Sequence, residues 1–556
     1  MPRRAAPSGA RPFRTWRRAG AAALAALTLA LAGCSSGGDA AGGDGTPVNG
    51  GTARFGLSID PPCFDPHYTG TIMNYTVARN VLDSLLYWKP DGTFAPWLAT
   101  GYRISDDKLT YTFDLRSGVG FSNGEVFDAA AVKANYDFIL DPANATNAAK
   151  VLGSIQQVNV VDTDTVELKL RKVDSGLLRS VSSVRAGFIA PSKLPLKDKL
   201  CKDTANLIGT GPFTIQQYNP GQDVTLAKNQ GYNWAPESAG HQGPAYLDQV
   251  VFTFLPETSA RTGALQSDQV DVIDSVQSYD VPLFQDSADF EYLVGYDTST
   301  SFGFNLNAGQ FPTDDVRVRT ALRDGFDVNA VVQSLYQGHV RRNWSWAGAD
   351  SPYYDPSLEN KWGNKIDASN KLLDDAGWTA RDGNGYRTKD GRRLTVNVEY
   401  IAEAVRDQRD ILIQSIQAEL KKNIGLELVL NTPDSGTFYS RLYSGNYGIY
   451  PNIWTGADLA NNVTNYINDW LYKYAQPKPA EVTAINDLAL RAVGSLDEQQ
   501  RIDLVHQVQR RIVLDDALFV PLSSGAFQIA TSARVHNIGF EPDSLTVGSF
   551  HDVWIG

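Results

Sequence analysis

Apolar residues recur along this chain with two periods, and the alternation between them predicts an α/β protein. Thr52–Ile59 reads as a first strand. Val77, Val81, Leu82, Leu85 and Leu86 share one face of a helix expected over Tyr75–Trp88. Leu109–Leu115 alternates strictly, as a half-buried strand does, and Val166, Leu168 and Leu170 alternate again. Asp128 is placed to cap a helix carrying Val132, Tyr136 and Ile139. Val250–Phe254 is a short β-rich run. Further on, Val316–Tyr336 holds two helices, the second starting near Asp327 and ending at Gly338. Ala368–Ala376 is helical up to Gly377, and Leu394–Tyr400 alternates as a strand. Ile413, Ile416, Leu420 and Ile424 form a helical stripe that Gly425 stops, with a strand at Leu426–Leu430. A last stripe, Ile502, Val505, Val508 and Ile512, precedes a short strand at Phe519–Leu522. Helices and strands interleave without a repeat, so mixed sheets are expected.

The first 51 residues follow neither period. Six arginines and no acidic residue precede an apolar stretch from Ala19 to Leu31, which ends in Leu31-Ala32-Gly33-Cys34. This is the pattern of a lipoprotein signal peptide over residues 1–33, with Cys34 as the lipidation site. The Arg17-Arg18 pair leaves Sec and twin-arginine export both open. Residues 34–50 are mostly Ser, Gly, Asp and Ala with little to bury, a flexible tether reaching roughly 20 Å. A domain so anchored works on the outer face of the cell membrane, extracytoplasmically.

Charge agrees with that placement. The 556 residues carry 62 acidic against 50 basic groups, and six of the basic ones belong to the leader. Such an acidic surface does not suit nucleic acid. No second apolar run reaches membrane-spanning length. Two cysteines remain beyond Cys34, and in an oxidising compartment they favour one disulfide, Cys63–Cys201.

Catalytic signatures are missing. The chain has no Gly-x-Ser-x-Gly elbow, no His-Glu-x-x-His and no Cys-x-x-Cys. Its six histidines, His67, His241, His339, His506, His536 and His551, are scattered without ligand spacing. Adjacent acidic pairs such as Asp106-Asp107 and Asp515-Asp516 read as turns or caps rather than a glycosidase dyad. No enzyme, no metal site and no cofactor are expected.

Six segments, in order, resemble the extracytoplasmic solute-binding proteins of ABC importers, in the family that includes oligopeptide- and dipeptide-binding proteins. They are Leu82–Leu98, Ile104–Ile139, Gly209–Ile215 (GTGPFTI), Asp315–Gly338, Lys371–Trp378 (KLLDDAGW) and Glu419–Leu430. The resemblance implies a two-lobed periplasmic-binding-protein-like clamp of the second type, in the large cluster with an extra inserted subdomain. Lobe I would comprise residues 51–75, 207–295 and 516–556, with a subdomain inserted at 76–206. Lobe II would span 296–515, with hinges near Tyr296 and Asp515. It implies a monomer that works with separate permease and ATPase subunits, since the chain has no phosphate loop of its own. Read as a binding protein, it would capture a small solute, a peptide or a peptide-like molecule. A receptor or sensor lipoprotein without transport, or a secreted hydrolase, are the alternative readings.

The resemblance also nominates ligand contacts. Peptide-binding members carry a Trp followed three residues later by an Asp that pairs with the ligand amine. Here the Trp is Trp454, but Ala457 stands three residues on and Asp458 one further. Either Asp458 substitutes through a local bulge, or the ammonium-binding function is absent. Other expected contacts at lobe edges are Tyr296, Phe302, Asn305, Trp344, Trp346, Tyr450 and Asn452. Phe64, His67 and Tyr68 follow the first strand, where this fold places a loop at the cleft mouth.

Overall fold

The computed structural model describes residues 45–69, 72–402, 405–453, 479–542 and 547–556. Cys34, Trp454 and Asp458 lie outside them.

Ten strands form the principal sheet: β1 (Thr52–Leu57), β2 (Phe213–Asn219), β3 (Asp223–Lys228), β4 (Gln249–Phe254), β5 (Val272–Asp274), β6 (Phe290–Leu306), β7 (Thr395–Glu399), β8 (Glu427–Asn431), β9 (Ile449–Asn452) and β10 (Phe519–Ser532). Their spatial order is β8-β7-β9-β6-β10-β5-β1-β4-β3-β2. Pairing is parallel around β1 and around β7, and antiparallel where β6 and β10 meet. A separate four-stranded antiparallel sheet is built from Ala99–Ile104, Thr110–Leu115, Ile155–Asp162 and Thr165–Leu170. The mixed α/β architecture is the expected one.

Three main cores follow. One gathers Phe55, Phe252, Ile529 and Phe550 around β1, β4 and the far end of β10. A second collects Phe113, Tyr136, Phe188 and Trp234 on the four-stranded sheet. The largest holds Phe304, Trp346, Trp362, Ile416 and Val508 around β7, β9 and the near end of β10. β6 and β10 contribute to more than one of these cores. Their pairing shifts register between Tyr296 and Ser301, and again between Phe302 and Gly303.

Local signals placed most helices. Asp128 accepts from the Ala131 amide at 2.9 Å at the head of Ala129–Leu140. Asp327 accepts from Ala330 at 3.0 Å at the head of Val328–Tyr336. Gly425 ends Arg409–Ile424 in the left-handed region, φ 67°.

Two expectations are corrected. The helix read over Tyr75–Trp88 runs only from Ile72 to Ala78, and Leu86–Trp88 is a strand paired with Phe94–Pro96. The carbonyls of Asn80 and Val81, which a helix would use, accept instead from the amides of Phe213 and Gly211. That approach is so close that a Cβ on Gly209 or Gly211 would collide with the Val81 backbone, which is why both are glycine. The strand expected at Phe519–Leu522 continues to Ser532. Ser523-Ser524-Gly525 reads as a turn, yet Ser523 and Ser524 pair with Phe302 and Ser301 inside the sheet.

Cys63 and Cys201 form a disulfide, with Cα atoms 4.1 Å apart. Asp83, fully buried, accepts from Thr210 Oγ1 at 3.0 Å and Trp234 Nε1 at 3.1 Å. Burial pushes its carboxyl up to about 7, against the pull of those donors and of Arg79.

Candidate functional site

A cavity of about 150 Å³ opens where β6 and β9 meet the helix Arg409–Ile424. Tyr450, Pro451 and Asn452 on β9, with Ile453 after it, line the space. Phe302 on β6 adds the adjoining wall. Arg409 and Ile413, one helical turn apart, and Phe438 and Tyr439 on the helix Ser435–Tyr443 close the remaining sides. Asp434 caps that last helix through the Thr437 amide at 3.0 Å.

The walls are aromatic. Phe438 and Tyr450 have ring centroids 5.5 Å apart, and the Arg409 guanidinium lies 4.7 Å from the centre of the Phe302 ring. Burial, with Tyr439 and Tyr443 nearby, pushes the Tyr450 hydroxyl well above the usual phenol range, so it stays a neutral hydrogen-bonding group. Arg409 pairs with Asp407 at 2.9 Å.

Arg406 stands apart. It follows Val405, which lines the cavity, and its Nη1 lies 3.3 Å from the sulfur of Met73, a residue of the first core. Among the described residues no carboxylate oxygen lies within 4 Å of its guanidinium. Desolvation lowers its pKa, while Asp407 and Asp274 partly oppose that from a distance. Asp274 itself is fully buried and accepts from Ser58 Oγ at 2.9 Å. Burial pushes it up to about 6. Sequence reasoning passed over Arg406, because an arginine between an alanine–valine pair and a charged run reads as solvated surface.

The expected contacts divide. Phe302, Tyr450 and Asn452 come together at the cavity. Asn305 does not line it: fully buried, it donates Nδ2 to the Tyr450 carbonyl at 3.0 Å and pins β9 to β6. Trp346 is fully buried in the largest core, and Trp344 packs edge-on against Trp362 beneath Arg342. Tyr296 lies under the Arg341 guanidinium at 4.0 Å and donates to the His339 carbonyl. Phe64, His67 and Tyr68 sit between the first two cores: Phe64 against Tyr218, His67 Nε2 2.9 Å from the Gly187 carbonyl, and Tyr68 against Phe138. These seven therefore have structural surroundings in this arrangement: none lines the cavity, and each ring or amide is engaged by the partner named.

One grouping was invisible along the chain. His241 and His551, far apart in sequence, stack with centroids 4.1 Å apart beside Asp552.

Comparison with known proteins settles the family. Residues 93–477 match the middle region of the bacterial extracellular solute-binding proteins, family 5. The chain belongs to this family. Among relatives of this family 5 protein, the nickel-binding periplasmic protein of Escherichia coli K12 is 25% identical over 509 residues, 88% of this chain and 92% of the relative. The glutathione-binding protein GsiB of Salmonella paratyphi A is 29% identical over 302 residues, 53% of this chain and 57% of its own length. The solved structure of NikA from Brucella suis with Fe(III)-EDTA superposes with a TM-score of 0.77 at 25% identity, covering 91% of this chain and all of that one. A dipeptide-binding protein from Pseudoalteromonas sp. SM9913 with Met-Leu shares the fold, with a TM-score of 0.75 at 20% identity over 91% of this chain and all of that one. The family 5 chain thus has the periplasmic-binding-protein fold, and its family members bind solutes for ABC importers.

Proposed function

We propose that this protein captures a small carboxylate-bearing solute, peptide or peptide-like, in the cavity between Phe302, Tyr450, Asn452 and Arg409, and passes it to an ABC permease driven by a separate ATPase. The observation that carries the reading is Arg406: a desolvated guanidinium beside the cavity, without a carboxylate within 4 Å among the described residues. A buried cation is costly unless an anion meets it, and a planar fork matches a carboxylate. Aromatic walls supply contact area at little cost in side-chain entropy. The solutes named for the related structures, Fe(III)-EDTA and Met-Leu, both carry carboxylates.

In this reading residues 51–75, 207–295 and 516–556 form one lobe, 76–206 its insert, and 296–515 the other, and the solute favours the closed arrangement by touching both. Trp454 is expected at the site. Its place beside Ile453, which lines the cavity, supports that expectation. Asp458 is the candidate partner for a ligand amine. The protein acts by binding, as a monomer, tethered through a lipid on Cys34 outside the membrane; the apolar stretch before Cys34 supports this. Mass spectrometry of small molecules released from protein purified from its host tests the proposal. A carboxylate-bearing compound that raises Tm when added back supports it. Recovery of a neutral solute with the same effect refutes it.

A further inference from the structure

We infer that His241, His551 and Asp552 form a binding site for a divalent transition-metal ion, Zn2+ or a close neighbour, at a place separate from the solute cavity. His241 lies in the loop between β3 and β4, and His551 and Asp552 lie in the single turn Phe550–Asp552. The His241 ring is sandwiched between His551, at 4.1 Å and 9°, and Tyr246, at 4.0 Å and 27°.

Both ring nitrogens of each histidine meet an oxygen. His241 Nε2 lies 3.0 Å from the Pro244 carbonyl and His551 Nε2 lies 2.8 Å from the Gly243 carbonyl. Both Nδ1 atoms face the same oxygen, Asp552 Oδ1, each at 2.9 Å. The other carboxylate oxygen, Oδ2, accepts from the Gly240 amide at 2.8 Å.

Two imidazole nitrogens and one carboxylate oxygen therefore meet at one place. With the imidazole protons on Nε2, both Nδ1 atoms would be offered to a dication, the rings turning out of their stack to aim at it. The three donor atoms lie within 4.8 Å of one another, a span that bonds of about 2.0–2.2 Å can bridge. The surroundings are those of a built metal site: each imidazole donates its remote N–H to a carbonyl, and the carboxylate is oriented by an amide. Two imidazoles and one carboxylate favour zinc, nickel, cobalt or copper over magnesium or calcium. His551 and Asp552 also line a cavity of about 190 Å³ with Asn537 and Ser549, which leaves room for water at the remaining positions. None of these residues lines the cavity at Phe302. The ion would fasten the end of the chain to the β3–β4 loop.

The test is Zn2+ binding by the intact untagged chain, with Co2+ as a spectroscopic probe. His241→Phe keeps the ring stack and removes the nitrogen. Asp552→Asn keeps an acceptor for Gly240 and offers an N–H to the Nδ1 atoms, so it holds the fold without the ion. One Zn2+ per chain is expected in the parent, a visible Co2+ spectrum that both variants lose, and at least about a 100-fold weaker Zn2+ affinity in each. Near-UV circular dichroism establishes folding, and Asp552→Asn decides if His241→Phe unfolds. No Zn2+ bound by the parent, or equal binding by parent and folded variants, overturns the assignment. Equal binding would locate the ion elsewhere, the solute cavity included.

Discussion

Arg79 Nε lies 2.7 Å from Glu541 Oε1, and both side chains are almost fully withdrawn from water. The same guanidinium reaches Ser84 Oγ at 2.9 Å and the Ser182 carbonyl at 3.1 Å and lies 5.0 Å from the centre of the Trp97 ring. One cation thus joins the end of the chain to the second core. Glu541→Gln leaves that cation uncompensated, and the expected loss of stability is about 3–5 kcal/mol. Urea unfolding with an unchanged slope and a lowered midpoint checks it; an unmoved midpoint refutes it.

Arg406→Met retains an apolar stem against Met73 and removes the charge. Binding of a carboxylate-bearing solute should weaken by roughly 10- to 100-fold, the worth of a charge-assisted hydrogen bond of about 1.5–3 kcal/mol. Affinity for the corresponding amide should change little. Calorimetric titration of both compounds separates a charge effect from a packing effect, which would weaken the two alike.

The Cys63–Cys201 bridge closes a loop with a sequence separation of 138. Chain-entropy reasoning assigns such a loop about 5 kcal/mol, the high end for a single bridge. Replacing both cysteines by alanine should lower stability by about 2–5 kcal/mol. The drop is read from denaturant melts of parent and double variant under non-reducing conditions. Addition of a reductant should bring the parent toward the variant and leave the variant unmoved.

Asp83 makes stability depend on pH in a direction opposite to that of a salt-bridged carboxylate. Its folded pKa of about 7 lies above the unfolded value of about 3.9. Between those values the folded state holds a proton that the unfolded chain releases. This group's contribution is therefore fully present below about pH 4 and is lost as pH rises to 7, by at most about 4 kcal/mol. Asp83→Asn, which cannot ionise, should flatten that part of the profile. Melts from pH 4 to 8 on parent and variant check it through their difference; a difference that does not change with pH refutes the assignment.

What the sequence makes legible here is local. Asp128, Asp327 and Gly425 mark helix ends because a cap depends on a few neighbouring residues. Phe302, Tyr450 and Asn452 could be nominated for the cavity as aromatic and amide groups near the expected lobe edges. What stays hidden depends on distant partners. Nothing near Asn80 and Val81 announces that Phe213 and Gly211 will take their carbonyls and end a helix whose apolar stripe continues to Leu86. Ser523-Ser524-Gly525 has the composition of a turn and becomes strand because β6 pairs with it. An aromatic such as Trp346 looks the same in sequence whether it faces a cleft or fills a core. The His241–His551 stack shows the same limit: two residues with no common spacing meet only after the sheet has formed.

β6 and β10 run as one paired ribbon past the junction of the cores, with the register slip between Tyr296 and Ser301 and the Asp297 carboxylate holding the Ser299 amide at 2.7 Å within it. A ribbon is not a swivel. Any rotation of one half against the other would have to twist this ladder, which would store torque and return it. If the two halves of the proposed clamp turn on this ribbon, substitutions from Asp297 to Thr300 should retune that spring and shift solute affinity without touching the solute.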